Sequence, residues 1–250
     1  MTKLSLQTGP VLVIGARSDI GLAAAHRFAA AGYSVQLAAR NAAQLEADAA
    51  DIALRHSVDV TLHELDLLAS DTFEPFVDSL PALPQVAICA VGLLGDQSVS
   101  QSDLQAASRV MRSNYEGPAL ITGLLAERFE ARDSGILVGI SSVAGERGRA
   151  SNYIYGSAKA GYTAFLSGLR NRLAKTNVHV LTVLPGFVRT RMTEGMDLPP
   201  RLTTDPGRVA DAIFAAVSKK RDVIYVKPVW RLVMGVVRAL PERLFKGTQF

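Results

Sequence analysis

Seven short segments with the character of β-strands alternate with longer helical stretches along almost the whole chain. These predicted strands cover residues 11–14, 34–39, 59–64, 85–91, 135–141, 178–184 and 222–226. The main helical stretches cover residues 41–56, 103–131, 153–175 and 206–219. This alternation predicts an α/β fold, a doubly wound parallel sheet of about seven strands with helices on both faces. We expect residues 1–226 to form one catalytic domain and residues 227–250 to form a C-terminal extension of it.

The first apolar run leads into a turn that contains two glycines. The run ends at Ile14, the turn extends from Gly15 to Gly21, and a helical pattern follows over residues 22–31. Backbone N–H groups at such a junction can bind the pyrophosphate of a dinucleotide, as they do in Rossmann-type sheets. The predicted cofactor-binding residues of this turn are Gly15, Arg17, Ser18, Asp19, Ile20 and Gly21.

A serine, a tyrosine and a lysine follow at a spacing suited to proton transfer. Tyr155 and Lys159 are four residues apart on a predicted helix, and Ser142 precedes the tyrosine by thirteen residues. Positions i and i+4 share one helix face, so we expect the Lys159 ammonium to lower the pKa of the Tyr155 phenol. A proton donor near neutral pH is what the reduction of a ketone requires. The alternative is an unremarkable Tyr–Lys pair on a surface helix.

Taken together, these signals resemble the short-chain dehydrogenase/reductase family over residues 10 to about 226. The resemblance is strengthened by Asp66 after the third strand, Asn114 in the stretch 103–131, and Pro185-Gly186 after the sixth strand. It implies a reductase that uses a nicotinamide dinucleotide. It completes the predicted cofactor-binding set with Arg40, Asp66, Gly92, Tyr155, Lys159, Pro185, Gly186 and Val188.

The resemblance also implies a role for each catalytic residue. Tyr155 would be the general acid, and Lys159 would lower its pKa and hold the nicotinamide ribose. Ser142 would orient the substrate carbonyl, with Ser141 as the alternative one residue away. Asn114 would anchor a water that relays protons to Lys159, unless it is only a polar residue within a helix.

The end of the second strand bears on the choice of cofactor. NAD-specific members usually have an acidic residue there, whereas this chain has Ala39 followed by Arg40. An arginine can bind a 2′-phosphate through its guanidinium fork, so NADP(H) is favoured over NAD(H). Arg17 is a candidate second cation. The alternative is that Arg40 is only a solvated charge at the strand end.

Two departures from the family pattern stand near this cofactor site. Asp19 occupies the place of the middle glycine of the turn, where a carboxylate would repel the pyrophosphate. We expect it to act instead as the N-cap of the following helix. The segment Cys89-Ala90-Val91-Gly92 stands where many relatives have Asn-Asn-Ala-Gly, so two amides that brace the central strands are missing.

A narrower resemblance is to the keto-reductase subunits of decaprenyl-phosphoryl-ribose 2′-epimerases. The segments that carry it are residues 91–96, 144–147 and 188–192 and the region around Trp230. It implies reduction of a lipid-linked 2-keto-sugar in cell-envelope synthesis, with the ketone supplied by a partner oxidase. The alternatives are a soluble alcohol dehydrogenase or 3-ketoacyl reductase, and a non-catalytic dinucleotide-binding subunit.

The C-terminal extension is basic and largely apolar. Its net charge of +4 equals that of the whole chain, and residues 229–240 are mostly apolar, with Trp230, Arg231 and Arg238 as candidate anchors at a membrane boundary. This stretch is too short to span a bilayer, but it could lie along a membrane surface. The alternative is that it packs against the substrate cleft or a second subunit.

Composition completes these expectations. A chain of 250 residues with 48% hydrophobic residues can bury a large core, and its one cysteine, Cys89, excludes an intramolecular disulfide. Residues 1–9 show no signal peptide and no run spans a membrane, so we expect a cytoplasmic protein with peripheral membrane contact as an option. We expect a homo-oligomer formed through stretches 103–131 and 153–175, a mobile lid over residues 187–200, no nucleic-acid binding and no metal site.

Overall fold

A seven-stranded parallel sheet forms the centre of the protein in the computed structural model, which describes residues 9–248. The strand order is β3-β2-β1-β4-β5-β6-β9, so the order reverses on either side of β1. The strands are β1 (Val11–Ile14), β2 (Val35–Ala39), β3 (Val60–Glu64), β4 (Val86–Cys89), β5 (Gly135–Ile140), β6 (Val178–Leu184) and β9 (Val223–Tyr225). The predicted doubly wound α/β fold is confirmed.

Ten helices accompany this sheet in the described residues. They are α1 (Asp19–Ala29), α2 (Glu46–His56), α3 (Phe73–Asp78), α4 (Gln97–Ser100), α5 (Leu104–Met111), α6 (Gly117–Ala131), α7 (Tyr153–Arg172), α8 (Pro206–Ser218), α9 (Val229–Ala239) and α10 (Glu242–Phe245). Two short strands, β7 (Phe187–Val188) and β8 (Thr203–Thr204), pair with each other outside the main sheet.

The central strands are apolar throughout because both faces of the sheet are covered. All residues of β1, β2, β4 and β5 are buried. Alternate residues of β1 face opposite sides: Val11 and Val13 belong to one core cluster, and Leu12 and Ile14 belong to the other. Parallel pairing brings the carboxyl ends of these strands to one edge, where ligands bind in such sheets.

The predicted helix over residues 103–131 is interrupted, which corrects the expectation of one continuous helix. Residues Arg112–Glu116 form a π-helical turn between α5 and α6. This turn contains Asn114, which is completely buried. Such π-turns are rare and often mark functional sites, and the periodicity of apolar residues gives no sign of one.

The C-terminal extension folds onto the rest of the chain through α9 and α10. Trp230, Met234 and Val237 of α9 are buried in a third apolar cluster with Val143 and Leu184. Trp230 is only 3% exposed, so the expectation that it anchors the chain at a membrane boundary is wrong. Its indole packs inside the protein.

A single arginine closes the end of this helix. Arg147 Nη1 donates to the carbonyl oxygens of Val237, Arg238 and Leu240 at 3.2, 3.1 and 2.8 Å. The last carbonyls of a helix lack partners within it, so this side chain supplies the missing donors. The guanidinium carbon also lies 4.1 Å from the ring centroid of Phe245, which fixes α10.

No helix among residues 9–248 combines the length and the apolar character needed to cross a membrane. The expected absence of a signal peptide concerns residues 1–9, of which 1–8 lie outside the described residues. The final two residues of the predicted extension, 249 and 250, also lie outside them.

Candidate active site

A cleft opens at the carboxyl ends of the central strands and contains a cavity of about 540 Å³. Of the sequence-predicted site residues, only Gly21 and Asn114 do not line it. Those that do are Gly15, Arg17, Ser18, Asp19, Ile20, Arg40, Asp66, Gly92, Ser142, Tyr155, Lys159, Pro185, Gly186 and Val188. The structure therefore brings residues from almost the full length of the chain into one site.

The two glycines of the turn after β1 are required by its geometry. Gly15 has a φ angle of +83°, in the region that favours glycine. A Cβ atom on Gly21 would lie 2.6 Å from the Gly15 carbonyl oxygen. Gly21 thus lets α1 begin directly beneath the turn, and the pair forms a cradle of backbone that fits a pyrophosphate.

Ser18, rather than Asp19, is the N-cap of α1. The Ser18 hydroxyl accepts a hydrogen bond from Gly21 N at 3.0 Å and donates to the carbonyl oxygen of Ala90 at 3.1 Å. The second bond ties the turn to the end of β4. It supplies bracing at the position where two expected amides are replaced by Cys89 and Ala90.

Asp19 forms an ion pair across the cleft, which corrects its predicted role as a cap. Its carboxylate accepts hydrogen bonds from the backbone N and the Nε of Arg191, at 2.8 and 2.9 Å. Arg191 Nη2 also donates to the Arg17 carbonyl oxygen. The carboxylate is therefore neutralised by the segment that follows β7, and it is directed away from the helix end.

A cationic pair of side chains stands where β2 ends. Arg17 Nη1 donates to the Arg40 carbonyl oxygen at 3.2 Å, and both side chains line the cavity. The next carboxylate, Glu64 at the end of β3, accepts hydrogen bonds from the backbone N of Asn41 and Ala42 at 2.8 Å each. This carboxylate is thus engaged by the loop after Arg40.

Asn114 lies behind the cavity wall and holds the segment after β4. Its Nδ2 donates to the carbonyl oxygens of Leu93 and Val110 at 2.6 and 2.8 Å, and its Oδ1 accepts from Leu93 N at 3.2 Å. A Cβ atom on Gly92 would lie 3.4 Å from this Oδ1 and 3.7 Å from Lys159 Nζ. Asn114 therefore fixes the wall next to the lysine, and the proton-relaying water remains a prediction.

Three further predicted residues line the cavity from strand ends. Asp66 follows β3, and its carboxylate accepts a hydrogen bond from Leu68 N at 3.0 Å. The Pro185 carbonyl oxygen accepts from Val143 N at 3.0 Å, which joins the ends of β5 and β6. Val188 lies in β7 and is buried.

Ser142 and Ser141 differ in how their hydroxyls are used. Ser141 Oγ donates to the Lys159 carbonyl oxygen at 2.9 Å and pairs with Thr163 Oγ1 at 2.6 Å, so it fixes α7 against β5. Ser142 Oγ accepts from Ala144 N at 3.1 Å and interacts with the Tyr155 side chain. The geometry favours Ser142 as the residue that faces a substrate.

Burial dominates the protonation of the tyrosine and the lysine. It raises the pKa of Tyr155 to about 12, with the Ser142 hydroxyl acting in the opposite direction. It lowers the pKa of Lys159 to about 8. The expectation that Lys159 lowers the pKa of Tyr155 is therefore wrong for this structure. The ammonium lies 5.9 Å from the tyrosine ring centroid, and its hydrogen bonds go to the carbonyl oxygens of Val91 and Ile140.

Gly186 is required for a contact that the sequence did not indicate. A Cβ atom there would lie 1.9 Å from the indole of Trp230, so α9 packs directly on the backbone after β6. Trp230 Nε1 donates to the Leu202 carbonyl oxygen at 3.0 Å, which connects α9 to the segment before β8. Trp230 also lines the cavity.

Sequence reasoning also missed Arg149 and Asn152, which line the cavity beside Tyr155. Their position between the serine and the tyrosine of the predicted trio was the available signal, because both ends of that interval face the cleft. The apolar part of the same wall includes Met192 and Met196.

Comparison with known proteins decides the family. Residues 10–199 match the family model described as short chain dehydrogenase. The chain belongs to this family. An uncharacterized oxidoreductase of Mycobacterium tuberculosis is 39% identical over 242 residues, which cover 95% of this chain and 96% of the relative. The sulfoacetaldehyde reductase of Chromohalobacter salexigens is 32% identical over 191 residues, or 74% of this chain and 75% of that enzyme.

A solved structure has the same fold. The short-chain dehydrogenase from Sphingobium yanoikuyae in complex with NADPH superposes with a TM-score of 0.81 and 24% sequence identity, and the alignment covers 94% of this chain and 97% of that one. This likeness shows a shared fold. The family match and the 39% identical oxidoreductase show that the chain is an NAD(P)-dependent oxidoreductase.

Proposed function

We propose that this short-chain dehydrogenase reduces a ketone to a secondary alcohol with NADPH, and that Tyr155 is the general acid. The observation that carries the proposal is the convergence of Ser142, Tyr155 and Lys159 on the cavity that begins at the Gly15 turn. One cleft then holds a nucleotide cradle and a proton donor, which carbonyl reduction needs together.

The residues present fit the cofactor. The turn from Gly15 to Gly21 would hold the pyrophosphate, Gly92 would allow close approach of the cofactor, and Lys159 would bind the nicotinamide ribose. When bound, the cofactor supplies the hydride that reduces the carbonyl carbon.

The side chains of the trio would handle the proton. Ser142 would donate a hydrogen bond to the substrate carbonyl and keep it beside the Tyr155 hydroxyl. Tyr155 would release its proton to the carbonyl oxygen as negative charge develops there. Its raised pKa keeps the phenol protonated at neutral pH, so the proton is available when the carbonyl oxygen becomes basic.

The preference for NADPH rests on the charges at the end of β2. Arg40 is exposed there and Ala39 leaves the strand end without a carboxylate. The NADPH bound to the Sphingobium yanoikuyae relative is consistent with this preference. A fluorescence titration with NADPH and NADH tests it: we expect tighter NADPH binding, and Arg40→Ala should remove the difference. Equal affinities in the unaltered protein would contradict the preference.

Turnover tests the reaction itself. We expect NADPH oxidation in the presence of at least one ketone from a panel of 3-ketoacyl esters, cyclic ketones and keto-sugars. Tyr155→Phe should lower kcat by about 10²–10⁴-fold while leaving the NADPH dissociation constant unchanged. Unchanged biological function in Tyr155→Phe would support the alternative of a non-catalytic nucleotide-binding subunit.

A second, narrower candidate is the reduction of a lipid-linked 2-keto-sugar at a membrane surface. It is supported by the outer face of α9, where Leu232 and Val236 are 73% and 65% exposed, and by Leu244 of α10 at 61%. Basic Arg231 and Arg243 lie next to these residues. An apolar, basic surface of this kind suits peripheral contact with anionic lipids beside the cleft that Trp230 lines.

Vesicle co-sedimentation tests the narrower candidate. We expect the protein to bind vesicles that contain anionic lipids, and Leu232→Glu with Val236→Glu should abolish binding without changing the reduction of a water-soluble ketone. If residues 228–250 can be deleted without loss of activity, the soluble alcohol dehydrogenase or 3-ketoacyl reductase is favoured. The partner oxidase and the homo-oligomer remain predictions.

A further inference from the structure

Arg149 differs from every other half-buried arginine in residues 9–248. Among residues 9–248, its Nε is buried without a hydrogen-bond partner, and its Nη2 has the Met234 sulfur, at 3.8 Å, as its one partner. A thioether sulfur is a weak acceptor. The other five half-buried arginines donate to carboxylate or carbonyl oxygens: Arg27, Arg112, Arg132, Arg147 and Arg170.

The contrast with Arg147, two residues earlier, shows what a structural arginine does here. Arg147 donates to three carbonyl oxygens at the end of α9 and to the Glu242 carboxylate. Arg149 reaches the same helix at Met234 but finds no oxygen there. Its position is therefore not explained by support of α9.

The Arg149 side chain lies in the cavity wall next to another unsatisfied group. Asn152 also lines the cavity, and its Oδ1 is buried without a hydrogen-bond partner. Burial lowers the pKa of Arg149, yet a guanidinium remains charged at neutral pH. Buried polar atoms without partners are costly, and a half-buried guanidinium in a cavity wall can gain partners from a ligand.

We propose that Arg149 binds an oxyanion of the substrate, a phosphate, sulfonate or carboxylate group. The planar guanidinium matches the geometry of two oxyanion oxygens. The inference rests on the proposed reduction of a ketone and restricts it to anionic ketones. Arg149 then determines specificity and takes no part in proton transfer.

Two measurements on the NADPH-bound protein test the proposal. In the first, ethyl phosphate, ethanesulfonate and dodecyl phosphate are titrated while the emission of bound NADPH is recorded. In the second, kcat and KM are compared for dihydroxyacetone phosphate and uncharged dihydroxyacetone. The variants are Arg149→Met, Arg149→Lys and, as the control, Arg109→Met, which removes an exposed arginine of α5 outside the cavity.

We expect Arg149→Met to weaken anion binding and to raise KM for the phosphorylated ketone by about tenfold to a hundredfold, as loss of a charge-assisted pair would. Arg149→Lys should retain part of the affinity, and Arg109→Met should retain all of it. In Arg149→Met, KM for the uncharged ketone should rise less than KM for the phosphorylated ketone, and Arg109→Met should leave both KM values, kcat and the NADPH affinity unchanged. Tighter binding of dodecyl than of ethyl phosphate would identify a lipid-linked phosphate as the source of the oxyanion.

Anion affinity that is the same in Arg149→Met and the unaltered protein would overturn the inference while leaving ketone reduction intact. Conversely, anion binding that depends on Arg149 in a protein that reduces no ketone would support the anion site and contradict the proposed reaction. The two failures are therefore distinguishable.

Discussion

The two halves of the cleft differ in how completely their polar groups are paired. On the cofactor side, Ser18, Asn114, Lys159 and the ion pair of Asp19 with Arg191 have hydrogen-bond partners within the protein. On the side where we propose that substrate binds, Arg149 Nε and Asn152 Oδ1 have none within the described part of the chain. The polar groups of the cofactor side are thus held in place by the fold itself, whereas those of the proposed substrate side are less completely paired.

The largest effect that bears on this comparison is a difference between two neighbouring serines, Ser141 and Ser142. Ser142→Ala should lower kcat about a hundredfold, because the substrate carbonyl loses the donor that orients it. Ser141→Ala should affect stability more than kcat, because the Ser141 hydroxyl bonds the Lys159 carbonyl and Thr163. Steady-state kinetics and thermal unfolding of both variants test this, and equal losses of kcat would contradict it.

A second prediction concerns the packing of the Trp230 indole on Gly186, at the boundary between the two halves of the cleft. Gly186→Ala should destabilise the protein by about 1–3 kcal/mol, because the added methyl group overlaps the Trp230 indole. Chemical denaturation measures this loss in the free energy of unfolding. Adding Trp230→Ala should cost less in the Gly186→Ala background than in the unaltered protein, because truncating the indole also relieves the clash that the new methyl group creates. Strictly additive effects would show that the overlap is not the cause.

Breaking the ion pair between Asp19 and Arg191 would leave the cofactor side with a charged group that lacks its counter-charge. Arg191→Ala removes the positive charge beside the Asp19 carboxylate and keeps only the backbone hydrogen bond, so NADPH affinity should fall about tenfold through repulsion of the pyrophosphate. The double variant with Asp19→Asn should recover most of this loss. A titration of NADPH fluorescence measures both. If the double variant binds no better than Arg191→Ala, Arg191 acts by another route.

The comparison also explains what the sequence could and could not predict. The cofactor side follows from local rules: a strand, a turn with Gly15 at positive φ and a helix are contiguous in the chain. The order of strands and the meeting of Ser142, Tyr155 and Lys159 follow from strand–helix alternation and helical spacing. These features needed no knowledge of distant contacts.

Other features depend on contacts between distant parts of the chain. Asp19 was predicted as a cap, but its partner Arg191 is 172 residues away. Trp230 was predicted at a membrane boundary because its apolar neighbours do not reveal which face of α9 is covered. Whether Arg149 Nε finds a hydrogen-bond partner within residues 9–248 depends on the groups that the fold places around it. No local sequence pattern predicts this. Even the pKa of Tyr155 was predicted in the wrong direction, because burial is set by the whole fold.

The smallest effect is a dependence of stability on pH that arises on the cofactor side. Burial lowers the pKa of Lys159 from 10.5 to about 8, so above pH 8 the unfolded chain holds a proton that the folded protein has released. The free energy of unfolding should therefore rise with pH above 8, by at most about 1.4 kcal/mol per pH unit. Below pH 8 this contribution is lost, because the folded protein must bury the charge.

Lys159→Met isolates this contribution when both proteins are denatured between pH 7.5 and 9. The window ends at pH 9 because burial also raises the pKa values of Cys89 and Tyr155, whose stabilising contributions decline with pH above about 9 and 10. Subtracting the variant's curve from that of the unaltered protein should give a positive slope within the window. A flat difference would mean that Lys159 remains charged despite its burial, stabilised by the carbonyl oxygens of Val91 and Ile140. Lys159 would then stay positively charged throughout this pH window. The fold would hold a fixed charge on the cofactor side, in addition to holding its side chains in a fixed geometry.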